Sequence, residues 1–271
     1  MNRARDTVKH HIYPARYFTA SPTWFTWNKL TATDIHALRA ERGFEGHYQH
    51  ISTPVEARAR RLTLDIGQDV YFHLNHPIRF IRLVAPIVAI DDINAKYTIL
   101  TLDDGSGATI EVKIVRLAAA VAQGPTRRSN TKVDNTTIRS TLGTFEVLID
   151  GAPVDIGMVI KAKCTISTFR QVRQLELQRV SVVRDTNEEA RAWAELAEFK
   201  ERVLAKPWSL TEQEMNEIDE SMRAERSKGR ERERKRKEVD AKKEEKCRRH
   251  DEKAERRRRR EEVDMAVGAL L

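Results

Sequence analysis

The 271 residues carry 49 Lys and Arg against 41 Asp and Glu, a formal net charge of +8, and suffice for one or two domains around one sizeable core. Residues 222–260 hold 20 basic and 10 acidic side chains, which leaves 29 basic and 31 acidic elsewhere; the high pI belongs to a tail and does not by itself make the body a nucleic-acid binder. The longest apolar run, Leu83 to Ile90, falls far short of the roughly 20 residues of a membrane span, MNRARDTVKHH has no apolar leader region, and Cys164 and Cys247 stand far apart, so a soluble, intracellular protein with free thiols and no membrane partner is expected.

Aromatic residues are only 6% of the chain, yet SPTWFTW (Ser21 to Trp27) holds three, with Tyr13, Tyr17 and Phe18 just upstream. The rings of Trp24, Phe25 and Trp27 read as a strap that buries apolar area against the body. A base-stacking platform is the alternative, but Lys29 and Arg16 are the only cations close by in sequence. LTATDIHALRAERG predicts a short helix with a capping box at Thr31 and Asp34, ended by Gly43. Residues 44–69, with Pro54 and ARARR, show no sustained period and read as a variable insertion with room for a short helix near 55–61.

The regular body starts with VYFHLNHPIRFIRLVAPIVAID, whose alternation and β-branched content predict one long strand. Pro86 cannot donate to a ladder, which implies a bend or bulge midway. YTILTLDD and ATIEVKIV flank GSG, where Gly105 and Gly107 supply the positive φ of a tight hairpin. VRLAAAVAQGP predicts a short helix ending at Gly124 and Pro125, and residues 126–143 a polar loop. FEVLID is a short strand and GAPVDIG a turn. MVIKAKCTISTF and RQLELQRVSVVRD form a last hairpin around Arg170–Val172. NEEARAWAELAEFKERVLA is an amphipathic helix with Ala190, Trp193, Ala197 and Leu204 near one stripe. Five strands with a helical connection between the third and fourth is the order of an OB-fold, a small Greek-key barrel, so the fold class is mainly β. The tail, from Ser209 with Glu212 as a second capping box, has acid-to-base pairs such as Glu231–Lys235, Glu233–Lys237 and Glu255–Arg259. Lacking apolar a/d positions it is no coiled coil; a solvated single helix or partial disorder is expected.

HPIRF in the first strand, LDDGSG in the first hairpin, and the SPTWFTW and KLTATDIHAL stretches resemble the Stn subunit of the telomere-capping CST complex in its filamentous-fungal form, a relative of the middle subunit of replication protein A. The resemblance covers roughly residues 13–42 and 70–208. It implies a non-enzymatic nuclear OB-fold protein at telomeres. Such a protein pairs with a small OB-fold Ten subunit, works with a large CST subunit and helps hold single-stranded telomeric DNA. The partner face would fall on Asp103, Ala190 and Trp193, and the family's DNA-contact positions on Ile114, Ser167 and Phe169, of which Phe169 alone is aromatic. Relatives with C-terminal winged-helix domains carry them where this chain has its charged tail.

Tyr97, Lys113, Phe169, Arg170 and Arg173 lie on or beside strands that border an OB groove, and are candidates for strand contact; ordinary polar alternation is the competing reading. The Asp103–Asp104 pair could serve acid–base work, but a hairpin turn wants such residues anyway. His47, His50, His73 and His76 lack a companion CxxC or HExxH, and no P-loop, GxSxG or Cys–His signature occurs. Neither an enzyme, a cofactor, a metal nor a small-molecule substrate is therefore expected. A general replication or RNA-processing OB adaptor, and a scaffold acting through its charged tail, are the competing functions.

Overall fold

A computed structural model describes residues 10–44, 69–117, 129–141 and 144–268. These fall into two compact units divided between Ser209 and Leu210; the helix at 55–61, His47 and His50 lie outside the described residues.

In the first unit a 3-10 turn over Ala15–Ala20 buries Tyr17 and Phe18, and β1 (Asn28–Lys29) leads to α1 (Ala32–Ala37). The capping box forms as the spacing implies: the Thr31 hydroxyl accepts from the Asp34 N–H and the Asp34 carboxylate from the Thr31 N–H. The helix stops at Ala37 rather than reaching Gly43, because Leu38 takes extended backbone and β2 (Arg39–Ala40) follows.

The expected long strand is divided. β3 (Tyr71–His73) and β4 (His76–Ile78) form a hairpin, turned by Leu74 at φ +54, and only then does β5 (Phe80–Asn94) run on. The bend falls at Pro86, where β5 leaves one neighbour and takes up another; a residue without an N–H is tolerated where the ladder changes hands. β6 (Tyr97–Asp103) and β7 (Thr109–Val115) make the predicted hairpin, with Gly105 and Gly107 at φ +73 and +93.

The residues after β7 depart from expectation. Most of the predicted helix falls on residues 118–128, outside the described set, but Arg116 bridges to Thr131 and the Leu117 N–H donates to the Asn130 carbonyl. The polar stretch that read as a loop is half strand: Ser129 and Thr131 are buried and their hydroxyls bond the Val133 and Thr136 carbonyls. β8 (Thr136–Thr141), β9 (Thr144–Ile149) and β10 (Ala152–Val154) then form a small antiparallel sheet. Threonine is β-branched and suits a pleated, half-buried surface as well as a loop, which is why composition misled here.

β11 (Val159–Phe169) and β12 (Val172–Val182) form the last hairpin, and α2 (Thr186–Phe199) continues through a π-helical turn at Lys200–Leu204. The main sheet runs β1-β5-β11-β12-β7-β6, and β6 pairs back onto β5. Counting β5, β6, β7, β11 and β12 as strands one to five, the circuit is 1-2-3-5-4-1 with a parallel third–fifth pairing. That is the closed Greek-key barrel of an OB-fold. The small β8–β10 sheet stands in the connection between its third and fourth strands. Ile81, Leu83, Ile87, Leu100, Val112 and Leu177 line the interior at 0–1% exposure. Cys164 packs among them as a small apolar group, its thiol held protonated by complete burial.

The second unit is one helix, α3 (Glu212–Gly268), about 85 Å long at 1.5 Å per residue. Thr211 caps it, its hydroxyl and N–H both meeting Glu214, so the box sits two residues later than Ser209 and Glu212. The three pairs expected from i,i+4 spacing all form, at 2.7–2.9 Å. No helix among the described residues is long and apolar enough to cross a membrane.

Candidate partner and nucleic-acid interfaces

The order of the last strand and α2 lays that helix over the outside of β5. Asp185 caps its first turn by accepting the Glu188 N–H. One face packs down: Ala192 is buried and Phe199, Val203 and Leu204 join the core. Ion pairs fix its position. Glu195 meets Arg82 at 2.6 Å and Lys29 at 3.3 Å, and Glu188 pairs with Lys161. Lys200 reaches Asp34 at 2.6 Å. The Arg82 hydrogen bond holds the Glu195 carboxyl below its ordinary range.

Trp193 sits on the flank of the helix, 55% exposed, with exposed Ala190 and Ala197 on either side of it. A cleft of about 300 Å³ opens beside it, lined by Val84, Pro86 and Val88 of β5, the Asp103–Gly105 turn, Glu189 and Trp193. Two candidates from distant parts of the sequence, Asp103 and Trp193, thus border one depression. Leu204 does not join them: at 2% exposure it belongs to the barrel core, because the π-helical turn rotates the end of the stripe inward. The turn carboxylates are structural. Asp103 accepts the Gly105 N–H and Asp104 accepts those of Ser106 and Ala32, which docks the hairpin onto α1. The β5 wall of the cleft carries a signal in the sequence, Val84, Pro86 and Val88 recurring at period two on one face of the strand.

The nucleic-acid candidates divide into separate groups. At the β11–β12 tip Phe169 is 58% exposed, with the Arg170 guanidinium 5.2 Å from its ring centre. Arg170 and Gln171 both take positive φ, +48 and +67, the backbone of a type I′ turn without the usual Asn-Gly. Tyr97 and Lys113 meet on the β6–β7 wall, ammonium to ring 5.5 Å, and Lys113 also pairs with Glu176 at 3.3 Å. Ser167 donates its hydroxyl to the Gln174 carbonyl. Ile114 is fully buried, so its side chain is unavailable to a bound strand. Arg173 is committed too: its guanidinium bonds the His36 and Leu38 carbonyls and lies over Tyr71. It clasps α1 to the barrel instead of facing a groove.

The aromatic arm behaves largely as a strap. Trp24 is 4% exposed and packs on Phe18 at 5.2 Å, while Thr23 and Asn28 bond the Pro77 and Phe80 carbonyls. Phe25 departs from expectation: it points outward, 57% exposed. Trp27 is half-buried, tilted against Phe80 at 5.1 Å, with the Lys163 ammonium 5.6 Å from its ring. His73 and His76 are pushed below the ordinary histidine value by burial; the His76 ring meets the Lys206 carbonyl at 2.8 Å. Among the described residues no group of three His, Cys, Asp or Glu is placed to hold a metal.

Residues 58–122 match the family model "Telomere regulation protein Stn1". A curated relative, Protein stn1 of Schizosaccharomyces pombe, is 25% identical over 182 residues, which cover 67% of this chain and 41% of the relative; the chain spans about two fifths of that protein. Among solved structures the S. pombe Stn1-ten1 complex gives a TM-score of 0.42 at 19% identity, covering 66% of this chain and 95% of that one. Yeast Stn1 and Ten1 give 0.47 at 16%, covering 78% and 91%. A replication protein A heterotrimer bound to single-stranded DNA gives 0.39 at 15%, covering 66% and 98%. The barrel itself rests on the strand circuit described above, and its sequence is similar to the Stn1 family model over residues 58–122 and to the S. pombe protein over 182 residues.

Proposed function

We propose that the chain is the OB-fold subunit of a CST-type telomere-capping assembly in the nucleus. It pairs through the Trp193 cleft with a small OB-fold subunit of the Ten1 kind, works beside a large CST subunit, and contributes to holding single-stranded telomeric DNA without catalysing a reaction. The similarity to the Stn1 family model supports the class of partner. The observation that carries the reading is Trp193, a large ring exposed on a helix whose other face is pinned by ion pairs, beside an apolar strand wall. An exposed tryptophan flanked by small residues and a ready cleft suits an interface anchor. Strand contact is assigned to Phe169 and Arg170 at the hairpin tip and to Tyr97 and Lys113, where a ring and a cation stand together.

Co-expression with a small OB-fold subunit from the same organism tests it. A stable 1:1 complex on gel filtration, with raised affinity for a telomeric over a scrambled single strand, is the expected result. Separate elution at micromolar concentration removes the pairing, and equal affinity for both strands would favour a general replication adaptor.

A further inference from the structure

β5, β11 and β12 lie side by side and carry a row of cations. Lys163 stands opposite Arg82 on one neighbour and opposite Arg179 on the other, and like charges directly across a ladder repel. Arg82 is answered by Glu195, and Lys161, two positions along, by Glu188. Lys163 and Arg179 have no carboxylate partner among the described residues. Burial first, then Arg179, Arg82 and Lys161, pull the Lys163 ammonium below its ordinary value.

The row depends on an irregularity. Leu175 and Leu177 point inward, so strict alternation would send residue 179 inside as well. Between Lys163↔Arg179 and Cys164↔Leu177 the register slips, leaving Gln178 as an extra residue. Such a bulge re-aims the side chains beyond it. Val180 is buried instead, and Arg179 emerges beside Lys163. Gln178 settles against the Thr165 hydroxyl at 3.3 Å.

Rings border these cations. Trp27 lies beside Lys163 and against Phe80, and the Arg79 guanidinium is 4.4 Å from the Phe80 ring centre. Sequence-distant residues thus build a cationic, aromatic surface on the wall made by strands one, four and five, away from the β6–β7 wall.

We propose that this wall is a second track for single-stranded nucleic acid, with phosphates between Lys163 and Arg179 and a base against Trp27. A single strand suits it because phosphate contacts use the unanswered cations while base stacking uses the ring; an acidic polypeptide would use only the former. The proposal rests on the nucleic-acid reading above and extends it to a face that reading leaves empty.

The test uses the full chain. Fluorescence anisotropy with a labelled oligothymidylate at two salt concentrations compares wild type, Lys163→Gln/Arg179→Gln and Phe169→Ala/Arg170→Gln, with thermal melts to confirm folding. Two lost phosphate contacts should flatten the log–log salt slope of the first variant by about 1.4, at roughly 0.7 per contact for single strands, with an affinity loss of about tenfold. A bromodeoxyuridine-substituted strand should photocross-link to the peptide bearing Trp27. An unchanged slope for the folded first variant, with the second variant impaired, removes this track and spares the hairpin-tip site. Loss of polyglutamate binding without loss of oligothymidylate binding would assign the wall to an acidic protein and overturn the proposal. Wild type that binds no strand at either salt overturns both readings together.

Discussion

Asn75 holds Trp208 by both ends of its amide: its Nδ2 donates to the Trp208 carbonyl at 2.7 Å and its Oδ1 accepts the Trp208 N–H at 2.8 Å. The same Nδ2 reaches the His11 carbonyl at 3.1 Å, so one buried side chain at the β3–β4 turn ties the N-terminal arm to the segment that follows α2. Asn75→Ala strands buried backbone groups, each worth about 1–3 kcal/mol. A loss of unfolding free energy on the order of 2–4 kcal/mol is expected in urea titrations, and a loss below ~0.5 kcal/mol would show the clasp to be replaceable by water.

Trp193→Glu separates binding from folding. At 55% exposure the ring contributes little to the isolated chain, so the melting temperature should stay within the range of ordinary surface changes, about ±0.5 kcal/mol. Pairing with the small subunit should weaken by at least ~2 kcal/mol, the loss typical of an anchor residue. Calorimetric titration of the two subunits gives the number, and undiminished affinity would move the interface elsewhere.

Stability should fall as the medium turns mildly acidic. His73 and His76 both titrate below the ordinary value of 6.5 in the folded chain, chiefly because burial disfavours their charged forms. The unfolded chain therefore takes up protons first as pH drops. Stability is full above 6.5 and declines through the interval beneath it. Asp34, held low by Lys200 and Thr31 against the opposing effect of its own burial, acts only at and below its ordinary 3.8, in a separate window. Urea midpoints from pH 7.5 to 5 should decline for wild type and decline less for His76→Gln; parallel curves would dissociate the histidines from the effect.

Two neighbouring rings should behave oppositely. Trp24→Ala removes a side chain 4% exposed inside an aromatic cluster and should cost about 3–5 kcal/mol. Phe25→Ala, at 57% exposure, should cost under ~0.5 kcal/mol. Equal losses in thermal melts would mean the arm is held as one block.

Tail and barrel should differ in their response to salt. Because the surplus positive charge lies in residues 222–260, a chain ending at Ser209 should bind single strands with a much shallower salt dependence than the full chain, counterion release scaling with the phosphates contacted. Anisotropy titrations across 50–200 mM salt, within the range where such slopes are read, decide it; equal slopes would place the electrostatic contacts in the barrel.

The legible parts of this sequence were those where one local pattern had one physical solution. Alternation in ATIEVKIV and MVIKAKCTISTF gave strands, glycines at positive φ gave the first hairpin, and a threonine three residues before an acid gave the cap of α1. The strand circuit also followed from their order. Failures came where a distant contact outvoted the local signal. Asn75 turns the chain back within what reads as one strand. Thr131 and Ser129 satisfy buried carbonyls that composition cannot see. Arg173 looks like a groove residue until His36 and Leu38 appear beside it. Lys163 lies 136 positions from Trp27 in a sequence that, read locally, gives the arm no cations but Lys29 and Arg16.

Barrel closure sets a temporal order for this protein. The parallel pairing of β7 and β12 joins residues far apart in the sequence: Gln174 reaches Glu111, 63 positions earlier, at 2.8 Å. Loop entropy must be overcome before that contact returns anything, and folds dominated by such pairings assemble in roughly milliseconds to seconds rather than microseconds. Until closure β7 and β12 each carry an open edge, and an open edge invites another chain. The nascent chain is therefore most vulnerable to aggregation before closure, and production at high concentration should suffer from slow closure rather than from weak final stability.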